Sequence, residues 1–269
     1  MCGLFEEDHM YATERQQQIE QLIAVDGRVA VVDLADRFGV TTETVRRDLA
    51  HLERTGLVRR VHGGAVSRSR VSTVESSFAE RASVRSGAKQ AIAQAAVELL
   101  GSGLDGAVYL DAGTTTAAIA QLLAHESRLA GSLEVVTHSM TVAHTLAGVP
   151  HLGLTAIGGR VRGLTAAAVG AQTVEAVSRL RPDTAFVGVN GISGAFGLST
   201  PDPDEAAVKR AIVAAARRIV VVADAEKFDA ELLVSFAPLA AVDVLITDVA
   251  PQGALARALD DADVEVHVA

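Results

Sequence analysis

Cysteine is nearly absent from this sequence: Cys2 is the only one in 269 residues. That excludes an internal disulfide framework and leaves neither a cysteine zinc site nor thiol catalysis to consider. Tryptophan is missing and aromatic residues make up only 3% of the chain, which argues against an aromatic-lined sugar-binding surface and for an Ala/Val/Leu-rich α/β core. No run approaches about 18 consecutive apolar residues, so no membrane span is expected. Residues 1–10 carry Glu6, Glu7 and Asp8 where a secretory signal needs a basic start and an apolar middle. The reading is a cytoplasmic protein with no membrane partner and no cofactor or metal. Lysine is also scarce, with Lys89, Lys209 and Lys227 the only three among 24 basic residues.

Positive charge is short overall. A net charge of −9 taken alone argues against a nucleic-acid partner, which needs a basic face for phosphates. The distribution overrides the total. Between Thr41 and Arg70 stand seven arginines (46, 47, 54, 59, 60, 68 and 70) against Glu43, Asp48 and Glu53. The same region has the periodicity of a small helical module. Ile19, Leu22 and Ile23 recur at helical spacing, as do Val31, Leu34, Ala35 and Phe38 before Gly39. A third helix opens after Thr41, a good N-cap with Glu43 in the first turn, and turns Val45, Leu49 and Leu52 inward. "LVRRVHGGAV" then alternates apolar and basic residues into a Gly-Gly turn, the pattern of a hairpin. Three helices and a hairpin in this order predict a winged helix-turn-helix that holds double-stranded DNA. On the third helix, Thr42, Thr44, Arg46, Arg47, His51 and Arg54 then lie on outer or flanking faces, with Arg59, Arg60 and His62 in the wing. Arginine there can fork onto guanine edges or phosphates.

Serine- and charge-rich residues 67–87 lack periodicity and read as a linker between a DNA-binding domain at 10–66 and a second domain at 88–269. The second domain repeats short apolar strands, "AVYLD", "LEVVT", "LGLTAIGG", "TAFVGV", "RIVVVAD", "DVLITD" and "VEVHVA", most of them separated by helical patterns. Such alternation predicts a doubly wound, largely parallel α/β sheet. "YLDAGTTTAAIAQLL" is a strand, a turn and a helix, with Asp111, Gly113, Thr114, Thr115 and Thr116 in the turn. Backbone N–H groups and hydroxyls at such a helix start favour an anion. Ligands of open α/β sheets sit beyond the carboxyl ends of the strands. Other strand ends therefore supply further candidates: His138 and Ser139, Gly159 and Arg160, Asn190, and Asp224 with Lys227. Glu205 and Lys209 lie one helical turn apart, able to pair with each other or to reach a ligand together.

The stretch "RQQQIEQLIAVDGRVAVVDLADRFGVTTETVRRDLAHLERTGLVRRVHGGA" resembles the N-terminal module of the DeoR family of bacterial transcriptional regulators, and the likeness runs over residues 14–250. With the likeness beginning there, Met10 stands as an alternative start. The resemblance implies a sensor domain related in fold to ribose-phosphate isomerases and CoA transferases, whose usual effectors are phosphorylated sugars. Asp111, Gly113, Thr114, Thr115, Glu205, Lys209, Asp224 and Lys227 match the family's motif positions. "THS" stands where Thr-Asn-Ser is commoner, and "DAEKF" where Asp-Ser-Ser-Lys-Phe is, so His138 and Glu226 alter the polar contacts. "GLSTPDPDEAAVKRA" resembles regulators of fructose use, which points to fructose 1-phosphate. The expectation is a repressor of a sugar catabolism or uptake operon, not an enzyme, acting as a homo-oligomer, dimer or tetramer. The alternative is a sugar-phosphate isomerase-like enzyme fused to a DNA-binding module, with Glu205, Asp111 or Lys209 supplying the base.

Overall fold

The computed structural model describes residues 11–26, 28–55, 58–61, 63–67, 73, 75–101, 106–125 and 133–269. They fall into two compact units, divided between Val74 and Glu75.

The first unit contains α1 (Ala12–Asp26), β1 (Arg28–Ala30), α2 (Val31–Phe38), α3 (Thr42–Arg54), β2 (Val58–Val61) and β3 (Gly64–Ser67). The apolar positions read from the periodicity make its core: Ile19, Ile23, Val31, Leu34, Ala35, Val45, Leu49 and Leu52, with Val58 and Ala65 from the wing. Helix α2 ends where Gly39 turns to φ 62° and its N–H returns to the Ala35 carbonyl. Helix α3 begins where the Thr41 hydroxyl accepts the Thr44 N–H at 3.2 Å, satisfying one of the free donors of a helix start. Asp48 is a buried acid on α3. It accepts from Arg15 Nε at 2.6 Å and Gln16 Nε2 at 2.8 Å, which ties α1 to α3. The expected hairpin is β2 against β3, and β1 adds a third antiparallel strand on the far side of β3. Gly64 permits that addition, because a Cβ there would lie 2.0 Å from the Val29 carbonyl oxygen.

The second unit opens with α4 (Phe78–Ser83) and α5 (Ser86–Leu100). It continues through β4 (Gly106–Leu110), α6 (Thr114–His125), β5 (Leu133–Thr137), α7 (Met140–Leu146), β6 (Gly153–Ala156), β7 (Arg160–Arg162), β8 (Ala167–Val169) and α8 (Ala171–Ser178). Then follow β9 (Thr184–Gly188), β10 (Gly191–Ser193), β11 (Gly197–Thr200), α9 (Pro203–Ala215), β12 (Arg218–Val222), β13 (Val234–Ala237), β14 (Val244–Thr247), α10 (Gly253–Asp261) and β15 (Glu265–Val268). Seven strands form one parallel sheet in the order β15-β14-β12-β9-β4-β5-β6. They are the seven strands expected from the sequence. Alternate side chains serve opposite faces. Val108, Leu110, Phe186, Val220 and Val222 pack with α5, α6 and α7, whereas Tyr109, Ala185, Val187, Ile219 and Val221 pack with α8, α9 and α10. The chain enters the sheet at β4, moves outward through β5 and β6, then returns to the other side of β4 with β9. The reversal between β4 and β9 is a topological switch point, where open α/β sheets hold their ligands.

The segment expected to be linker is shorter than the sequence implied. Residues 68–72 and 74 lie outside the described residues, but Glu75 onward belongs to the second unit. Ser77 and Glu80 form a reciprocal capping box that starts α4. The Phe78 N–H donates to the Leu164 carbonyl at 3.0 Å. The serines of the segment read as a linker thus include the cap of a short helix.

Candidate functional site

Asp111 follows β4 and is fully buried beside the last residue of β9. Its Oδ2 accepts the Gly188 N–H at 3.0 Å and the Lys209 ammonium from α9. Lys209 also donates to the Gly188 carbonyl at 2.8 Å and lies 5.6 Å from the Phe236 ring centre. The other oxygen, Asp111 Oδ1, is buried with no hydrogen-bond partner among the described residues. It faces His138 Nε2 at 3.7 Å, and His138 Nδ1 meets the Tyr109 hydroxyl at 3.0 Å. Burial pushes the His138 imidazole down to about 4; the Asp111 charge opposes this and the Lys209 charge adds to it. The ring is therefore neutral at neutral pH. Burial, and after it the Asp111 charge, raises the Tyr109 hydroxyl well above its ordinary value. One carboxylate oxygen is thus held by a cation and a backbone donor, and the other is an acceptor awaiting a donor.

The turn after Asp111 leads directly into α6. In the first turn of a helix the N–H groups, here those of Thr114, Thr115 and Thr116, lack intrahelical acceptors. Gly113 and Thr114 are half-buried, whereas Thr115 and Thr116 are buried. The Thr116 hydroxyl donates to the Gly113 carbonyl at 3.0 Å, so it braces the turn instead of facing outward as expected. Ser139 likewise caps α7, accepting the Val142 N–H at 3.3 Å.

Glu205 and Lys209 do not pair with each other among the described ion pairs. Lys209 turns to Asp111, and Glu205 turns to the β7–β8 hairpin, where its Oε1 accepts from Thr165 Oγ1 at 2.5 Å and Arg162 Nη1 at 3.1 Å. Burial raises the Glu205 carboxyl, the Glu75 charge adds to the rise, and Lys209, Thr165 and Arg162 oppose it. Arg160 is exposed and pairs with Asp204, while Gly159 holds φ 152° with no room for a Cβ beside Thr173 Oγ1. Asn190 Oδ1 accepts the Thr200 hydroxyl at 3.0 Å. Asp224 is buried and accepts the Glu226 N–H at 3.1 Å. Lys227 is half-buried in the same turn. The sequence reading missed Tyr109, Arg162, Thr165 and the role of Lys89. Lys89 donates to the Arg81 carbonyl at 2.6 Å and to that of Val84. Burial lowers its ammonium, against the field of Asp224.

In the first unit, Thr42, Arg46, Arg47, His51, Arg54 and Arg60 are exposed. Arg46 and Arg47 are held only loosely by Glu43, at 3.7 and 3.9 Å, which leaves both guanidinium groups available. The Thr44 hydroxyl is 2.9 Å from that of Thr41 and so serves the cap. Arg54 Nε donates to the Ala50 carbonyl at 3.3 Å. The Arg60 N–H donates to Glu53 Oε1 at 2.9 Å, which fastens the wing to the end of α3. Arg59 lies on β2, and His62 lies outside the described residues.

A winged helix-turn-helix joined to a parallel α/β unit with a polar switch point defines a DNA-binding regulator with a sensor domain. The chain belongs to the DeoR family: residues 15–71 match the DeoR-like helix-turn-helix domain and residues 84–249 the DeoR C terminal sensor domain. It is 30% identical over 259 residues to the glycerol-3-phosphate regulon repressor of Escherichia coli (strain K12), covering 96% of this chain and 100% of that one. It is 37% identical over 241 residues to the HTH-type transcriptional regulator GlpR of Haloferax volcanii, covering 89% and 91% of the two chains. With the HTH-type transcriptional repressor CsqR of Escherichia coli (strain K12) it shares 32% over 252 residues, 94% of each chain. These relatives are regulators and repressors, and the chain is a transcriptional regulator, not an enzyme. A solved ribose 5-phosphate isomerase from Methanocaldococcus jannaschii aligns over 52% of this chain and 53% of its own, at 17% identity and TM-score 0.38.

Proposed function

We propose that the chain represses genes for uptake or catabolism of a sugar, and that a phosphorylated sugar bound at the β4/β9 switch point alters its affinity for operator DNA. The phosphate rests on the N–H groups opening α6, and a sugar hydroxyl donates to Asp111 Oδ1. That buried, unpartnered oxygen beside a helix start is the observation that carries the reading, because the helix favours an anion and the oxygen requires a donor. A phosphorylated polyol offers both groups on one small molecule. Fructose 1-phosphate is the favoured effector, on the "GLSTPDPDEAAVKRA" segment, with glycerol 3-phosphate next, on the name of a relative. Arg46, Arg47, His51 and Arg54 read or hold the operator with the wing. The reading head spans a short half-site, so the chain works as a dimer or tetramer on symmetric DNA.

A duplex selected by the protein from a random-sequence pool provides the test. Its affinity is measured with fructose 1-phosphate, glycerol 3-phosphate, other hexose and pentose phosphates, and the unphosphorylated sugars. One phosphorylated compound should change the affinity by about 5- to 150-fold, the usual range of coupling between two sites. Equal affinity in every case refutes the reading.

A further inference from the structure

The β7–β8 hairpin stands outside the main sheet, yet it touches both arms of the switch-point site and the first segment of the second unit. On one side the Ala168 N–H donates to the His138 carbonyl at 2.9 Å, and the Met140 N–H to the Ala166 carbonyl at 2.8 Å. Arg162 and Thr165 reach Glu205, one turn before Lys209, and Arg162 Nε pairs with Asp202 at 3.0 Å. On the other side Arg162 Nη1 donates to Glu75 Oε2 at 2.6 Å, and the Leu164 carbonyl accepts the Phe78 N–H. Glu75 is the first residue of the second unit, and its side chain is 2% exposed. One guanidinium therefore faces three carboxylates, of which Glu205 belongs to the site and Glu75 to the chain arriving from the DNA-binding unit. Arg81 on α4 stands 3.6 Å from Glu75 Oε1, and its Nε and Nη2 are buried with no hydrogen-bond partner among the described residues. Arg81 thus faces one oxygen of Glu75 while Arg162 holds the other.

We propose that the β7–β8 hairpin relays occupancy of the switch-point site to the segment joining the two units, with Arg162 as the positioning residue that divides itself between Glu205 and Glu75. The proposal rests on the reading of the switch point as an effector site. A ligand hydroxyl that donates to Glu205 competes with Arg162 for that carboxylate. The guanidinium then shifts toward Glu75 and Asp202, and the hairpin carries Leu164, and with it Phe78, along. A buried ion pair repays its desolvation only in good geometry with its hydrogen bonds made, so a displacement of about an ångström exchanges hydrogen-bond partners instead of stretching every contact. Physically contiguous polar contacts with two arrangements are the kind of element through which two sites can be coupled. Lys89 fixes the C-terminal end of α4 through the Arg81 and Val84 carbonyls, so the shift is confined to the start of that helix.

The test uses the full chain and the selected duplex described above. The variants are Arg162→Met, Arg162→Lys and the near-isosteric Glu75→Gln, with Arg179→Met as a control because Arg179 is exposed and, among the described residues, its ion pair is with exposed Glu175. Arg162→Met and Glu75→Gln should each shift duplex affinity at least about 5-fold without ligand, opposite to the direction in which the active sugar phosphate shifts wild type, because each removes the Arg162–Glu75 contact that ligand strengthens. Amide exchange should accelerate over residues 75–80, Arg162→Lys should restore part of the affinity, and Arg179→Met should stay within about twofold of wild type. A merely structural loss would lower thermal stability without a directed change in duplex affinity. If sugar phosphates act on wild type while Glu75→Gln and Arg162→Met bind and respond like wild type, the relay is overturned and the effector reading stands. If no sugar phosphate acts but both variants shift duplex affinity, the relay stands and the effector reading falls. Unshifted variants with an unresponsive wild type overturn both.

Discussion

His138 gives the switch point a defined response to acid. Its imidazole sits at about 4 in the folded protein, against an ordinary value of 6.5. Between those values the unfolded chain binds a proton that the folded chain refuses. A depressed folded value therefore means that stability is fully present above about pH 6.5 and is lost as pH falls toward 4. At about pH 4.5 the loss from this one group is about 2.5 kcal/mol, from about 1.4 kcal/mol per tenfold change in proton activity over the window. Replacement by asparagine removes the titration while keeping a small polar side chain against Tyr109. Urea unfolding of wild type and His138→Asn, followed by circular dichroism from pH 7.5 to 4.5, isolates the difference from the many carboxylates common to both. Wild type should lose about 2 to 3 kcal/mol more than the variant over that range. Direct titration of the ring by NMR should place its midpoint far below 6. A midpoint near 6.5, with parallel pH profiles for the two proteins, would refute the picture of a desolvated, neutral histidine.

Three further outcomes follow from the geometry. Thr41→Ala removes the acceptor for the Thr44 N–H and should destabilise the DNA-binding unit by about 1 kcal/mol in denaturant unfolding. Lys209→Ala leaves Asp111 buried without its cation and should cost about 3 to 5 kcal/mol of stability, so it reports on folding before it reports on ligand. Arg46→Ala or Arg47→Ala should weaken duplex binding by about 1 to 3 kcal/mol where the arginine reads a base, or flatten the salt dependence where it holds phosphate. Unchanged binding and salt slope in both variants would remove α3 as the recognition helix.

The elements legible in the sequence were those whose burial pattern is local. "RIVVV" and "TAFVG" are buried along nearly their whole length, as parallel strands covered on both faces must be, and their apolar runs announced them. Helix α3 carried its own start signal in Thr41. The small antiparallel pieces, β7 with β8 and β10 with β11 and β13, were not legible, because they span three or four residues in glycine-rich segments and take their order from tertiary packing. The site was half legible. Asp111 and His138 lie at strand ends, as the sequence argument had them, and Lys209 was singled out on its helical spacing with Glu205. The partnership of Lys209 with Asp111 was not readable, because the two are 98 positions apart, while the spacing of Glu205 and Lys209 allowed either a local pair or a shared ligand. Arg162 carried no signal in the sequence, and only the fold brings Glu75 and Glu205 to it.

Thr114 tests the central claim most directly, since it opens α6, is only half-buried, and is not needed for the Asp111–Lys209 pair. Wild type and Thr114→Val are titrated with the active sugar phosphate while bound to the selected duplex. A valine replaces the hydroxyl by a methyl of similar size, which removes a donor and leaves an apolar group beside the anion at the helix start without altering the reading head. The account predicts wild-type duplex affinity without ligand and a dose response displaced at least about tenfold, a loss of about 1.4 kcal/mol of ligand binding. A folded Thr114→Val protein that responds at the same sugar phosphate concentration as wild type would contradict it.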